Sequence, residues 1–369
     1  MNCFQMVANP TPRLLIVSTT PGPSKALAEV ALTLRDRALI GVLSSKNARF
    51  GQGDGVYRDF GIGVMSVEGI LPQYQPMAVT QEQADELLTR LRPEILLAGA
   101  VNEPTGLLRP LEDAVYEAAA SRGMRNFQFI EGWDVWHPRQ WGSPQAGTYL
   151  VTDNYAGAVL QSEGVPPDRI RITGYSPSLM VPNQVDLKER SRIRMELGIA
   201  DTQRLVAYFG QVACDNPTTL GWTSEAMDPD DRLIFQKHPR DVRPLDRLMA
   251  ACPAGSVMVS DLPSTRILHA ADVCVTHFSL MSFTAAGLGI PSILILLADD
   301  VLRIRRICGQ YPTTLLGGTV ECHNLEGLRR ALNECRRPAP GFIDHVRRST
   351  ALFAEKVATA LLDRHSHAA

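Results

Sequence analysis

The sequence predicts an α/β fold of two domains, because short aliphatic strands alternate with helical segments and this alternation starts afresh in the second half. A length of 369 residues is too great for one small core and suits two domains of ordinary size. Residues 272–297 carry the clearest unit, predicted as a strand, a polar loop, a short helix and a second strand. The second strand, residues 292–297, is an aliphatic run typical of a parallel sheet covered on both faces.

Charge and composition exclude several classes of protein. The chain has 37 Lys+Arg and 39 Asp+Glu, so it lacks the basic excess that nucleic acids or acidic membranes attract. Its apolar runs are of strand length and fall short of the roughly 20 residues of a membrane helix. The N-terminus lacks the basic-then-apolar pattern of a signal peptide. Seven cysteines without a C-x-x-C pair argue against disulfides and structural zinc, so we expect a cytoplasmic protein with reduced thiols and no metal.

The first half of the chain repeats a strand, a turn and a helix. Strands are predicted at residues 13–18, 39–43, 95–100, 126–130 and 148–152. The turn after the first strand places Thr19, Thr20, Gly22 and Ser24 at a helix N-terminus, where backbone N–H groups favour an anion. It contains neither a G-x-G-x-x-G nor a Walker pattern. Residues 46–55 are polar and glycine-rich and are predicted as a loop.

A loop rich in tryptophan follows the strand at residues 126–130. Its sequence, EGWDVWHPRQWGSPQ, places ionisable groups beside aromatic rings. Aromatic faces bind sugars and bases, so we expect an acceptor ring to stack on Trp133 while a carboxylate reaches its hydroxyl. Glu131, Asp134 and His137 are therefore the candidate catalytic acids and bases. The alternative is that the tryptophans pack in an inter-domain seam.

Polar residues also follow two predicted strands of the second half. The predicted strand at residues 204–209 is followed by Gly210 and Gln211. The predicted strand at residues 233–236 is followed by Lys237, His238 and Arg240. Glycine would let a ligand approach the backbone, and clustered cationic groups suit a phosphate.

Ser279, Ser282 and Thr284 add three hydroxyls near the start of the helix in residues 272–297. Hydroxyls and backbone N–H groups at a helix N-terminus together suit an anion, although Ser and Thr also cap helices without binding a ligand. The sequence therefore predicts a phosphate site where these strands end.

Element order resembles that of a known superfamily. The stretch YLVTDNYAGAVLQSEGVPPDRIRITGYSPSL, a linker and then RLVAYFGQ resemble the inter-domain segment of GT-B glycosyltransferases and the related sugar-nucleotide 2-epimerases. The KHP element is similar to the His-Pro motif of bacterial sialyltransferases, capsule sugar transferases and glycerophosphotransferases. The resemblance implies that His238, Ser279 and Ser282 hold nucleotide phosphates. Where many GT-B enzymes carry a glutamate followed by alanine for the donor ribose, this chain has Thr284 and Ala285.

The resemblance also implies an architecture of two Rossmann-like domains facing a cleft. Residues 1–182 would form an acceptor domain, residues 183–345 a nucleotide-sugar donor domain, and residues 346–369 a C-terminal helix crossing back onto the first domain. The implied activity is inverting, metal-independent transfer of a sugar from a nucleotide-sugar donor to a small-molecule or glycan acceptor. The donor is a co-substrate, so no cofactor is expected. A sugar-nucleotide 2-epimerase and a ligand-binding protein without turnover are the alternatives, and a homodimer is compatible with the sequence.

Overall fold

The computed structural model describes residues 11–45, 53–75, 78–101, 110–133, 147–177, 185–212, 214–239, 241–307 and 310–363. The chain divides into two compact units. Unit 1 comprises Met1–Ser178 and Leu352–Ala369, and unit 2 comprises Leu179–Ala351. Both are parallel α/β layers, which confirms the predicted fold class. In the described residues, no helix is both long and apolar enough to cross a membrane.

Unit 1 is built on a parallel sheet of seven strands in the order β3-β2-β1-β4-β5-β6-β7. Its strands are β1 Arg13–Val17, β2 Leu39–Ser44, β3 Met65–Ser66, β4 Ile95–Gly99, β5 Arg125–Ile130, β6 Thr148–Val151 and β7 Ile170–Ile172. Its helices are α1 Pro21–Leu34, α2 Gly53–Asp59, α3 Val67–Ile70, α4 Gln81–Leu91, α5 Leu111–Ser121, α6 Asn154–Ser162 and, from the end of the chain, α16 Phe353–Leu362.

Unit 2 is built on a parallel sheet of six strands in the order β10-β9-β8-β11-β12-β13. Its strands are β8 Leu205–Phe209, β9 Arg232–Gln236, β10 Val257–Val259, β11 Val273–Thr276, β12 Ser292–Ile295 and β13 Val320–Cys322. Its helices are α7 Leu187–Glu196, α8 Asn216–Ala226, α9 Leu245–Leu248, α10 Ser264–Ala270, α11 Leu280–Gly287, α12 Ala298–Ile307, α13 Pro312–Leu315, α14 Leu325–Glu334 and α15 Pro340–Thr350.

The strand order reverses once in each sheet. In unit 1 the chain runs outward from β1 to β3 and returns to the other side of β1 with β4. In unit 2 it runs from β8 to β10 and returns beside β8 with β11. The crevice outside the carboxyl ends of the strands at such a reversal is where open α/β sheets bind ligands. The fold therefore directs attention to the loops after β1 and β4 and after β8 and β11.

Both faces of the unit 2 sheet are buried, and β8 shows why. Its alternate residues Val206 and Tyr208 belong to one apolar cluster, while Leu205, Ala207 and Phe209 belong to the cluster on the opposite face. Strand side chains alternate between faces, so a strand that is apolar throughout needs helices on both sides of its sheet. This packing holds the sheet rigid and leaves its strand ends to carry polar groups.

Two local expectations differ from the structure. The predicted loop at residues 46–55 overlaps α2, which begins at Gly53, and residues 46–52 lie outside the described part of the chain. The C-terminal helix predicted in residues 346–369 is divided between the end of α15 and α16. Ala351 and Leu352 separate the two helices, and α16 packs against α1 in unit 1.

Candidate functional site

The loop after β8 is fixed by an asparagine at the start of α8. The backbone N–H of Gln211 donates to the Asn216 Oδ1 at 3.1 Å, and the Asn216 Nδ2 donates back to the Gln211 carbonyl at 2.8 Å. The Gln211 side chain is buried and donates to the Phe278 carbonyl at 3.2 Å, joining this loop to the one after β11. At Gly210 a Cβ atom would lie 3.1 Å from the Phe235 ring, so glycine is favoured there by packing on β9.

The loop after β9 carries Lys237 and His238, which are both half-buried. The Lys237 amino group donates to the Arg243 carbonyl at 2.7 Å, and the Asp241 N–H donates to the His238 carbonyl at 2.9 Å. Burial would raise the pKa of Asp241, but hydrogen bonds and charge from Arg243 outweigh it and hold that pKa below its usual range. The carboxylate and guanidinium, 2.6 Å apart, therefore form a charged pair that shapes this loop.

The N-terminus of α11 follows β11 directly. Ser279 caps the helix, its hydroxyl oxygen accepting from the Met281 N–H at 3.2 Å. The Ser282 hydroxyl donates to the Ser279 carbonyl at 2.6 Å, and the Thr284 hydroxyl donates to the Leu280 carbonyl at 3.1 Å. Ser282 and Thr284 are buried, whereas Ser279 is half-buried. Of the three predicted hydroxyl residues, Ser279 is thus the one whose side chain lies at the helix start and reaches solvent.

The structure brings the predicted residues of unit 2 to the carboxyl ends of three neighbouring strands, β9, β8 and β11. This set comprises Gly210, Gln211, Lys237, His238 and Ser279, with Ser282 and Thr284 one turn further into α11. Arg240 lies outside the described residues. The arrangement supplies two cationic or hydrogen-bonding side chains, a serine hydroxyl and a helix N-terminus, which are groups suited to a phosphate.

A buried polar cluster lies beneath these loops. His277, directly after β11, has its Nε2 atom 3.0 Å from the Thr219 Oγ1 and 3.3 Å from the Tyr208 hydroxyl. Its Nδ1 atom lies 3.4 Å from the Asp300 Oδ2. His277 is fully buried, and burial raises the pKa of Tyr208 above its usual range. These side chains connect β8, β11, α8 and α12 beneath the strand ends.

In unit 1, Gly22 and Glu131 lie against each other. Glu131 follows β5, and Gly22 lies in the first turn of α1. A Cβ atom on Gly22 would lie 2.2 Å from the Glu131 Oε2 and 2.7 Å from Oε1, so the carboxylate occupies the space that a side chain would need. A carboxylate at a helix N-terminus is stabilised by the helix dipole and by N–H donors. Gly22, predicted to bind the donor, and Glu131, predicted to be catalytic, are therefore adjacent in the structure.

A second acid of unit 1, Glu112, was not predicted. Its Oε1 accepts from the Thr19 N–H at 2.5 Å and from the Thr19 hydroxyl at 2.7 Å, immediately after β1. Its Oε2 is buried and has no hydrogen-bond partner among the described residues. Burial raises the pKa of Glu112 to about 7, against the opposing effect of the Thr19 hydrogen bonds. The group can therefore gain or lose a proton near neutral pH, beside the turn that leads to Gly22.

The expected stacking role of Trp133 is wrong. Its side chain is 4 % exposed, and its indole N–H donates to the Asp153 Oδ2 at 2.9 Å. The Tyr175 hydroxyl donates to the same oxygen, and the two rings meet edge to face at 6.1 Å. The ring is almost fully buried, so no face is open for a sugar to stack on, and the indole N–H is satisfied by the Asp153 carboxylate. Trp133 is a core residue of unit 1.

Asp134 and His137 lie outside the described residues, so their predicted catalytic role stays a prediction.

Three residues that shape the strand-end loops of the two units were missed by sequence reasoning. Asn216 and Glu112 stand in the first turns of helices, where Asn and acids are common, and nothing local marks them as different. His277 does have a signal, because it directly follows an aliphatic strand at the predicted loop.

Two cavities formed by described residues lie apart from this site. One, of about 490 Å³, is in unit 1 beside α16 and is lined by Phe127, Arg171 and Lys356 among others. The other, of about 270 Å³, is in unit 2 and is lined by Ile304, Arg305 and His323 among others. Neither contains a residue of the candidate site. The candidate site is therefore formed by the strand ends and their donor groups, outside both cavities.

No protein-family model matches the chain, and no curated protein matches it in sequence. Among solved structures it is similar to a UDP-GlcNAc 2-epimerase from Neisseria meningitidis bound to UDP-GlcNAc, with a TM-score of 0.64, 12% identity, and coverage of 95% of this chain and 99% of that chain. It is also similar to a glycosyltransferase from Rickettsia africae, with a TM-score of 0.66, 10% identity and coverage of 96% and 100%. A third match is Anabaena HepE in complex with UDP and glucose, with a TM-score of 0.63, 11% identity and coverage of 95% and 99%. At these identities the similarity shows the fold alone, which is the two-domain, GT-B-like fold of these proteins.

Proposed function

We propose that this chain is a nucleotide-sugar-dependent glycosyltransferase whose unit 2 binds the donor diphosphate. The observation that carries the proposal is the Ser279-capped N-terminus of α11 at the reversal of the unit 2 sheet. Helix N-termini at such reversals favour anions through their N–H groups and dipole. Structural neighbours captured with UDP-GlcNAc, or with UDP and glucose, support a nucleotide sugar as the ligand.

The proposed phosphate site combines a helix terminus with side-chain donors. Ser279 would donate its hydroxyl hydrogen to a phosphate oxygen while its oxygen still caps α11. Lys237 and His238 project from the loop after β9, two strands away in the sheet. Fixed donors of this kind stabilise negative charge without having to reorganise when it develops on the leaving diphosphate. We also propose that Ser282 and Thr284 contact the phosphate. In this structure their hydroxyl groups donate to helix carbonyls.

In unit 1 we propose Glu131 as the base that takes the acceptor proton. Its carboxylate is held against the first turn of α1, and it lies at the carboxyl end of β5. A base must be positioned before its pKa matters, and the contact with Gly22 supplies that positioning. Asp134 and His137 follow in the same loop and are the alternative bases.

A sugar-nucleotide 2-epimerase is the second candidate, favoured by the similarity to UDP-GlcNAc 2-epimerases. Such an enzyme would use the same phosphate site and would direct Glu131 to a proton of the sugar. One experiment distinguishes the two activities. Incubation of the protein with UDP-GlcNAc alone, followed by NMR, would yield an epimer from an epimerase. A transferase would require an acceptor before the donor is consumed.

The phosphate site is tested by Ser279→Asp. Aspartate caps helices as well as serine does, so the stability of α11 should be kept, but its charge repels a diphosphate. We expect the donor dissociation constant, measured by calorimetry with the best binder of a nucleotide-sugar panel, to rise by at least about 100-fold. Melting temperature should stay close to that of the parent.

Asn324→Asp is the matched control for this change. Asn324 caps α14 in the same unit by accepting from the Gly327 N–H at 2.8 Å, and it is exposed. It adds the same charge to a helix N-terminus away from β8, β9 and β11. Equal donor binding by Ser279→Asp and Asn324→Asp would exclude a phosphate site at α11.

Turnover is tested by Glu131→Gln, which keeps the shape of the side chain and removes the base. A general base contributes roughly two to four orders of magnitude to rate, so kcat should fall by that factor with donor affinity unchanged. Unchanged kcat would move the role of base to Asp134 or His137, to be tested by Asp134→Asn and His137→Gln.

A further inference from the structure

Three potential metal ligands meet beneath the loops of unit 2. Cys214 lies between β8 and α8, His277 follows β11, and Asp300 lies in the first turn of α12, which follows β12. Their ligand atoms lie within 4.8 Å of one another, and the three residues are 5 %, 0 % and 5 % exposed. β8, β11 and β12 are adjacent in the sheet, so the cluster joins three neighbouring strand ends.

The hydrogen bonds around Thr219 are compatible with the His277 tautomer that a metal at Nδ1 requires. The Thr219 hydroxyl lies 2.9 Å from the Asp215 carbonyl, 2.7 Å from the Tyr208 hydroxyl and 3.0 Å from the His277 Nε2. When the single hydroxyl hydrogen of Thr219 goes to the Asp215 carbonyl, the Thr219 oxygen can accept from an Nε2–H group of His277. In that tautomer of a neutral imidazole, Nδ1 carries the lone pair.

The Nδ1 atom of His277 is buried and has no hydrogen-bond partner among the described residues, although the Asp300 Oδ2 is 3.4 Å away. That oxygen accepts from the Leu297 N–H at 3.1 Å, which holds the carboxylate in place at the start of α12. A ring nitrogen and a carboxylate oxygen at this distance require a proton or a metal ion between them.

We propose that a zinc ion lies between Cys214 Sγ, His277 Nδ1 and Asp300 Oδ2. Zinc bonds to imidazole nitrogen and carboxylate oxygen are about 2.0–2.2 Å long, so at a tetrahedral angle the two atoms should lie about 3.4 Å apart. The observed separation is 3.4 Å. The Cys214 sulfur lies within 4.8 Å of the other two ligand atoms, and a zinc–thiolate bond is about 2.3 Å long.

The second shell also fits a metal. Histidine ligands usually donate their other ring N–H to an oxygen that fixes the tautomer, and the Thr219 hydroxyl oxygen, 3.0 Å from Nε2, is placed to accept it from His277. Mixed sulfur, nitrogen and oxygen ligands suit zinc better than magnesium or calcium. The ligands are too buried for the ion to reach a substrate directly, so the proposed zinc fixes the three loops and, through His277, the position of Ser279. This site does not depend on the proposed reaction.

Cobalt binding tests the site without any assay of activity. The full chain is treated with a chelator, dialysed and titrated with Co²⁺, which replaces zinc and gives a near-ultraviolet charge-transfer band when a thiolate binds it. We expect that band to saturate at one ion per chain and to disappear when Zn²⁺ is added. Zinc should also raise the melting temperature of the chelator-treated protein.

Variants identify the ligands. Cys214→Ser should abolish the cobalt band, and Asp300→Asn, which keeps an oxygen for the Leu297 N–H, should weaken metal binding by at least about tenfold. Cys322→Ser is the matched control, because Cys322 is buried in the same unit, 3 % exposed, and its thiol donates to the Leu294 carbonyl. These variants keep the other histidines of the chain, so background binding is the same in each.

Two results would overturn the proposal. One is a parent protein that gives no thiolate band with Co²⁺ and no stabilisation by Zn²⁺, in which case the three side chains form a buried polar cluster without a metal. The other is a Cys214→Ser variant that binds the metal as tightly as the parent and as Cys322→Ser. Both measurements on the parent precede any substitution, so poor folding of a variant cannot hide the answer.

Discussion

The buried carboxyl group of Glu112 in unit 1 should make the free energy of unfolding depend on pH. Its pKa is raised by burial from 4.5 to about 7, so between these values the folded protein holds a proton that the unfolded chain releases. The free energy of unfolding should therefore fall as pH rises from about 4.5 to about 7, by about 3 kcal/mol from this group. Urea denaturation at pH 5, 6, 7 and 8 should show this fall in the parent relative to Glu112→Gln.

Glu82→Gln is the control for that series, since Glu82 is an exposed acid in the first turn of α4. It should leave the pH profile of the parent unchanged. A Glu112→Gln profile parallel to that of the parent would mean that the carboxyl keeps an ordinary pKa. Such a residue could not be found from sequence, because Thr19, which binds it, is 93 positions away.

At the level of elements, the first turn of α1 is shaped by the acid that rests on it. Alanine normally stabilises a helix by roughly 0.5–1 kcal/mol relative to glycine. In Gly22→Ala the new Cβ would lie 2.2 Å from the Glu131 Oε2 and would force that carboxylate to move. Since a displacement of about 1 Å can cost about 100-fold in rate, we expect kcat to fall by about 10- to 100-fold.

Gly157→Ala in α6 is the matched control, because its Cβ would meet Ile170 at an ordinary 3.5 Å. It should be neutral or stabilising with full activity. The effect of Gly22→Ala on kcat should also vanish in a Glu131→Ala background, where no carboxylate remains to be displaced. If the two losses multiplied instead, Gly22 would act by a route independent of Glu131.

Elements with local signals were predictable. Thr80 and Gln83 form the capping box that starts α4, and the strand, cap and helix of residues 272–297 all appear in the structure. The aliphatic strands can be recognised without knowing their neighbours in the sheet, because a continuous run of aliphatic residues indicates burial on both faces. Trp133 was misread because its hydrogen-bond partner Asp153 comes from a distant loop. Side-chain direction at a site depends on such contacts, which no local pattern contains.

At the scale of the whole molecule, two phenylalanines near the C-terminus stabilise different units. Phe353 is buried in unit 1 against Phe129, with ring centres 5.5 Å apart, and Phe342 is buried in unit 2 against Phe283 at 5.3 Å. Either substitution to alanine should cost about 3–5 kcal/mol through lost burial and a cavity. Hydrogen exchange followed by mass spectrometry should show faster exchange in unit 1 for Phe353→Ala and in unit 2 for Phe342→Ala.

The two variants are controls for each other, being matched in residue type and burial. Equal acceleration of exchange in both units by either one would mean that the units unfold as a single cooperative body. The restart of the strand pattern in the second half predicted two domains, since each needs its own sheet and core.

The contribution of α16 to unit 1 has a consequence for how the protein is made. The ribosome synthesises the chain from the N-terminus to the C-terminus, so all of unit 2 is made before α16 emerges. For a period on the order of tens of seconds, the face of α1 that α16 will cover remains open. Unit 2 can therefore fold before unit 1 is complete, and the apolar face of α1 stays uncovered until the last helix has been synthesised.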